Sequence, residues 1–192
     1  MAIVLASQSP RRQELLARIG VEDFKTLSLD IDESYPEGLS PEDTVRYIAK
    51  KKCDAAAALC APDDLIITAD TMVFLGNDRL GKPRDEEDAL RMLRELAGRG
   101  HTVCTGVSVC RGAQEERFAV STRVFFRPMT DDEIRAYIKT GEPMDKAGAY
   151  GVQSRGALFV ERIDGDFFNV MGLPVCPLAM ILRKFGVKLL GC

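Results

Sequence analysis

Leu65-Ile-Ile-Thr-Ala-Asp-Thr-Met-Val-Phe-Leu-Gly-Asn-Asp-Arg-Leu-Gly-Lys-Pro83 is a β-rich apolar run interrupted in its middle by Asp70 and Thr71. Alternation places Ile66, Thr68, Asp70, Met72 and Phe74 on one face and Ile67, Ala69, Thr71, Val73 and Leu75 on the other. Both sets are mostly apolar, as in a strand covered on both sides. The chain then turns at Gly76-Asn77-Asp78 and returns into Leu80-Gly81-Lys82-Pro83. A carboxylate within such a strand costs several kcal/mol unless a cation, a metal or hydrogen-bond donors meet it. Asp70 therefore either closes the strand on a nearby backbone N–H or belongs to a site.

On the N-terminal side, residues 1–6 read as a short buried strand, and Ser9 and Pro10 suit the cap and first position of a helix reaching about Ile19. Arg11 and Arg12 sit badly in its first turn, where the macrodipole disfavours cations by some tenths of a kcal/mol. They are either solvated or turned to use by an anion bound at that helix terminus. Phe24–Leu29 reads as a strand leading to Asp30-Ile-Asp-Glu33, and Ser40-Pro-Glu-Asp43 as a capping box opening a helix to about Leu59. Lys52 falls on that helix's apolar stripe with Val45, Ile48, Ala49, Ala56 and Leu59, whereas Lys50 and Lys51 point elsewhere. It either snorkels along its stem or projects into a site.

On the C-terminal side, a helix is expected over Asp85–Ala97, an antiparallel pair over His101–Cys110 and Phe118–Phe126 around Gly112, and a capping box at Thr130-Asp-Asp-Glu133. Gly141–Gly156 is too irregular for a long element. Ala157–Ile163 reads as a strand, Gly165-Asp166 as a turn, and Leu173–Phe185 as a final helix. Phe167 and Phe168 read as core. Mixed β and α order points to a mixed α/β sheet flanked by helices.

The 192 residues suffice for a single domain over 1–192, or one large domain with a second lobe. Apolar residues at 46% and charged residues at 29% mark a soluble globular chain, and no run approaches a membrane span. The N-terminus has no signal-peptide pattern, so the cytoplasm is the expected location. Six cysteines (Cys53, Cys60, Cys104, Cys110, Cys176 and Cys192) form no zinc-like grouping with the lone His101 and read as reduced, mostly buried thiols. A net charge of −3 argues against non-specific nucleic-acid binding and leaves an anionic ligand to a local basic cluster.

Such a cluster is present at expected element ends: Ser7, Arg11, Arg12, Glu33, Lys52, Asp70, Thr71, Lys82, Arg84, Asp145, Lys146 and Gln153. Cations can neutralise a polyphosphate, and carboxylates can hold Mg²⁺ or orient a water. There is no GxxxxGK[ST] and no GxGxxG, so P-loop and Rossmann binding are unsupported. A Ser–His–Asp hydrolase lacks its G-x-S-x-G, and no thiol stands beside a recognisable base.

Several stretches together resemble the Maf family: Leu5-Ala-Ser-Gln-Ser-Pro-Arg-Arg12, Ala69-Asp-Thr-Met-Val73, Gly81-Lys-Pro83, Gly98-Arg-Gly-His101 with Thr105-Gly-Val107, Asp145-Lys-Ala-Gly-Ala-Tyr-Gly-Val-Gln153 and Phe168-Asn-Val-Met-Gly-Leu-Pro174. The resemblance runs from residue 3 to about residue 182. It implies an elongated mixed sheet with a central cleft, similar to inosine triphosphate pyrophosphatases. The implied activity is cleavage of a nucleoside triphosphate between its α and β phosphates, with a divalent cation (Mg²⁺ or Mn²⁺), often in a homodimer.

Carried over by position, Asp70 is the implied proton acceptor for the attacking water. Ser7, Arg12, Glu33, Lys52 and Lys82 form the phosphate and metal shell, with Glu33 and Asp70 as the metal ligands. Arg11, Thr71 and Gln153 match positions associated with base selection, and Lys146 is counted with the substrate-binding residues. The Asp-Lys-Ala-Gly-Ala-Tyr-Gly run with a following Gln resembles the dTTP/UTP branch, and a neutral amide suits the O4/N3–H edge of a pyrimidine. Two other readings stand beside it: a pyrophosphatase for 7-methyl-guanosine triphosphate, which Gln153 opposes, and a nucleotide-binding regulator of cell septation. Neither nucleic acid nor membrane is an expected partner.

Overall fold

The structure, a computed structural model, describes residues 1–190. Its strands are β1 (Ile3–Leu5), β2 (Phe24–Thr26), β3 (Leu65–Leu75), β4 (Asp78–Leu80), β5 (Gly100–Arg111), β6 (Gln114–Phe126) and β7 (Val160–Asp164). Its helices are α1 (Pro10–Arg18), α2 (Pro41–Ala57), α3 (Glu86–Leu96), α4 (Asp131–Ile138), α5 (Phe167–Met171) and α6 (Val175–Lys184). The strands form one seven-stranded sheet in the order β2-β1-β3-β5-β6-β7, with β4 paired to β3. β1 runs parallel to β2 and β3, while β3–β4 and β6–β7 are antiparallel. This is the mixed α/β sheet read from the sequence.

The chain divides into two compact units, and the division falls between Asp70 and Thr71 within β3. The first unit holds residues 1–70, 105–120 and the chain from Gly172. Here α2 lies tightly on strands: Thr68 Oγ1 donates to Ala49 O at 2.7 Å, and a Cβ on Gly106 would stand 2.3 Å from Val45 C and O. Only a glycine lets α2 approach β5 that closely. The buried side of α2 includes Val45, Ile48, Ala49, Cys53 and Ala56, so the apolar stripe of the sequence is the packed face as far as Ala56; Leu59, read as its last member, is 68% exposed because the helix ends at Ala57.

The second unit holds residues 71–104 and 121–171. α3 buries Leu90, Leu93 and Leu96 as its spacing requires, and α4 opens with the reciprocal Thr130–Glu133 capping box. A buried aromatic group of His101, Phe126 and Tyr150 packs edge-to-face at centroid distances of 5.0, 5.4 and 4.7 Å.

Several local expectations are corrected. The strand read over Ala157–Ile163 begins at Val160, because Arg155–Phe159 is a 3-10 helix whose Arg155 and Gly156 N–H groups donate to Glu142. The final helix begins at Val175, after Gly172 at φ +110° and Pro174, and α5 precedes it as a separate turn. Phe167 and Phe168, read as core, are 40% and 37% exposed, and Asn169 takes the buried position instead. β6 starts at Gln114, four residues early, and β2 stops at Thr26. Ser9 stands at the α1 cap without a side-chain cap bond, and at α2 Ser40 Oγ accepts from Asp43 N as a cap should, while the Asp43 carboxylate accepts the Ser40 hydroxyl instead of completing the box.

Cys53, Cys60, Cys104, Cys110 and Cys176 are not in disulfides; Cys53, Cys104 and Cys110 are buried, and Cys176 is exposed. Cys192 lies outside the described residues. Among the described residues no helix is long and apolar enough to cross a membrane.

Candidate active site

The first unit holds six of the sequence-derived candidates, Ser7, Arg11, Arg12, Glu33, Lys52 and Asp70. Asp70 is buried, and its Oδ1 accepts a 2.7 Å bond from Lys52 Nζ. The same ammonium meets Glu33 Oε1 at 2.8 Å, so one cation holds two carboxylates. Lys52 reaches them because it follows Ile48 by one turn on the packed stripe of α2. The adjacent lysines differ: Lys50 pairs with Asp54 and Glu115, and Lys51 with Asp32. Of the three in a row, only Lys52 serves this group.

Arg12 is tied down by backbone carbonyls. Its Nε donates to Gly172 O at 2.8 Å, and its Nη1 to Ala69 O at 2.9 Å and Ser7 Oγ at 3.3 Å. Burial pulls the Arg12 guanidinium below its ordinary value; the negative charges of Asp70 and Glu33 oppose this, and Arg11 adds to it. Arg11 therefore sits near enough to Arg12 for like-charge repulsion, half-buried in the first turn of α1.

Asp70 Oδ2 is buried and has no hydrogen-bond partner. A bare carboxylate oxygen in an apolar strand is costly unless something else completes it. Among the described residues there is no cluster of three or more His, Cys, Asp or Glu that could hold a metal ion. Mg²⁺, however, is commonly held by one or two carboxylates, with water and substrate phosphates filling the remaining positions. Glu33 and Asp70 fit that pattern.

In the second unit Asp145, Lys146 and Gln153 lie on the segment after α4, whereas Thr71 is on β3 and Lys82 and Arg84 lie between β4 and α3. Lys146 Nζ donates to Glu142 O and Asp145 Oδ1, both at 2.6 Å. Gly148 N donates to Gly81 O at 3.1 Å, which fastens the segment beside Lys82. Gly148 itself has φ +69° and faces the Val73 side chain, so a side chain there would be both strained and crowded. Lys82 and Gln153 are exposed, and Thr71 is half-buried.

Sequence reasoning missed Glu142, whose carboxylate is the centre of this segment, and Tyr137, which donates to it at 2.8 Å. No periodicity could reveal them, because the bonds of Glu142 reach residues 12 to 14 positions away. His101 is also no ligand: it is buried beside the Tyr150 hydroxyl at 2.8 Å, and burial pushes its imidazole down to about 4.

Residues 2–185 match the family described as Maf-like protein. The chain is similar to the dTTP/UTP pyrophosphatase of Bacillus velezensis, with 46% identity over 186 residues and 97% of each chain covered. It is also similar to the dTTP/UTP pyrophosphatase of Pelotomaculum thermopropionicum, with 47% identity over 190 residues and 98% of each covered. Among solved structures, the Staphylococcus aureus Ham1 protein matches with a TM-score of 0.55 at 14% identity, covering 96% of this chain and 100% of that one. A HAM1 protein from Coxiella burnetii matches with a TM-score of 0.56 at 13% identity, covering 96% and 99%. At such identities the likeness is one of fold, and it agrees with the mixed α/β sheet described above. By a family match over nearly its whole length and relatives near half identity, the chain belongs to the Maf family.

Proposed function

We propose that this protein is a nucleoside triphosphate pyrophosphatase that hydrolyses dTTP and UTP to the monophosphate and pyrophosphate. The observation that carries the reading is the Lys52–Asp70–Glu33 group with its open, buried Asp70 oxygen. The names of relatives near half identity support the substrate class. Water attacks the α-phosphorus, the bond from that phosphorus to the bridging oxygen breaks, and pyrophosphate leaves. Asp70 takes the proton of the attacking water at Oδ2, while Lys52 holds Oδ1 and so fixes the plane of the carboxylate.

Glu33 and Asp70 would hold a divalent cation, Mg²⁺ or Mn²⁺, which supplies charge neutralisation on phosphate oxygens when bound. Arg11, Arg12 and Ser7 bind phosphate oxygens with help from the positive end of the α1 dipole, and Lys82 of the second unit is a further phosphate-binding cation. Lys146 and Thr71 contribute to substrate binding, and the Gln153 amide both donates to and accepts from a pyrimidine edge. The cytoplasm is the location that goes with this reading, and cysteines outside any disulfide support it.

The test is product analysis with dTTP, UTP, CTP, GTP, ATP and 7-methyl-guanosine triphosphate, each with Mg²⁺, with Mn²⁺ and with chelator. Monophosphate plus pyrophosphate from dTTP and UTP, lost in chelator, is the expected result. Turnover confined to 7-methyl-guanosine triphosphate, or binding without turnover, would overturn it.

A further inference from the structure

Glu142 makes more side-chain bonds than a surface carboxylate needs. Its Oε1 accepts from Tyr137 Oη at 2.8 Å, Ser154 Oγ at 2.6 Å and Gly156 N at 3.2 Å. Its Oε2 accepts from Arg155 N at 3.2 Å, and its own carbonyl accepts Lys146 Nζ at 2.6 Å. The Tyr137 hydroxyl also accepts from Gly151 N at 3.1 Å. One residue at the start of the 142–156 segment thus holds its far end, with Lys146 on its backbone and Gln153 next to the first residue it grips.

The surroundings leave no slack in this arrangement. A Cβ on Gly156 would come within 2.7 Å of Gly151 O and 2.8 Å of Tyr137 Oη, and one on Gly151 within 2.9 Å of Lys146 Cε. The segment is therefore packed against its own backbone around the carboxylate. Burial pushes the Glu142 carboxyl up, but the bonds from Ser154, Tyr137, Gly156 and Arg155 outweigh it and hold the group below its ordinary value. Burial and the Glu142 charge both raise the Tyr137 phenol, which stays protonated and donating. The carboxylate is an acceptor met only by donors, the arrangement that fixes a loop most firmly.

Resting on the pyrophosphatase reading above, we propose that Glu142 is a positioning residue that sets how tightly a pyrimidine triphosphate is held, by fixing the segment that carries Lys146 and Gln153. It touches no reacting atom. Its removal leaves the bond-breaking machinery of Asp70 and Lys52 unchanged and loosens the residues that hold the substrate. Preorganised binding residues lower the ordering cost at the moment of binding, so their loss appears in KM before kcat.

The experiment measures KM and kcat for dTTP and UTP, together with amide hydrogen exchange over 151–156, in the wild type, Glu142→Gln and Glu142→Ala. The Gln variant keeps the volume but turns one end into a donor facing donors, so it is expected to fall between the other two. In Glu142→Ala, KM is expected to rise about tenfold or more while kcat stays within about threefold, with faster exchange confined to 151–156. If Glu142→Ala does not fold, Glu142→Gln carries the comparison. An unmoved KM despite faster exchange, or a loss confined to kcat, overturns the role of Glu142 alone. A wild type that turns over neither dTTP nor UTP strikes down the reading beneath it as well.

Discussion

The ammonium of Lys52 holds one oxygen of Asp70 at 2.7 Å, and the other, Oδ2, is buried without a hydrogen-bond partner. The pair therefore has one oxygen committed to orientation and one available for chemistry. Replacing Asp70 with Asn removes the proposed proton acceptor and keeps the shape. Turnover of dTTP in Asp70→Asn is expected to fall by about 10²–10⁴-fold, the usual contribution of a general base, with an unchanged circular-dichroism spectrum. Activity within a factor of two of wild type would remove Asp70 from its role.

Lys52→Met tests the same pair from the other side. With the cation gone, two carboxylates are left together, one of them buried, and unfolding in urea is expected about 3 kcal/mol sooner. Adding Asp70→Asn to that background neutralises the stranded charge and restores much of the loss. If the two effects simply add to within about 0.5 kcal/mol, the residues are not energetically coupled.

Gly106→Ala probes what places Lys52. The new Cβ would stand 2.3 Å from the Val45 carbonyl group, which is backbone and cannot swing aside. α2 must then lift from β5, and a loss of about 3 kcal/mol or more is expected, above the usual range for overpacking. A melting temperature equal to wild type would show that α2 does not need this contact.

Much of this was legible in the sequence because each residue looked misplaced by a local rule. Asp70 interrupts an apolar strand, Lys52 sits on a buried stripe, and Arg11 and Arg12 oppose a helix dipole. The helices and the long β3 followed from apolar spacing and caps. What stayed hidden depends on contacts far apart in sequence. The carbonyls of Gly172 and Ala69 that hold Arg12 are 160 and 57 residues away, and no side-chain pattern announces a backbone acceptor. Likewise the 3-10 turn at Arg155–Phe159 follows from Glu142 claiming two backbone donors, which overrides the strand-like composition of Ala157–Ile163.

His101 makes the stability depend on pH in a defined window. Burial lowers its folded-state value to about 4 from an ordinary 6.5. Between those values the unfolded chain binds a proton that the folded chain refuses, so this contribution is present above pH 6.5 and is lost as pH falls towards 4. The loss is expected to approach about 3 kcal/mol at pH 4, read from urea midpoints at a series of pH values. His101→Gln should flatten that slope; an equally steep decline in the variant would assign it to other groups.

The most direct test of the central claim is the fate of solvent oxygen. Hydrolysis of dTTP in ¹⁸O-labelled water, followed by mass spectrometry of the products, reports which phosphorus the water attacked. Attack at the α-phosphorus, as proposed, puts one labelled oxygen in thymidine monophosphate and none in pyrophosphate. Label in pyrophosphate, or in released orthophosphate, would contradict the account.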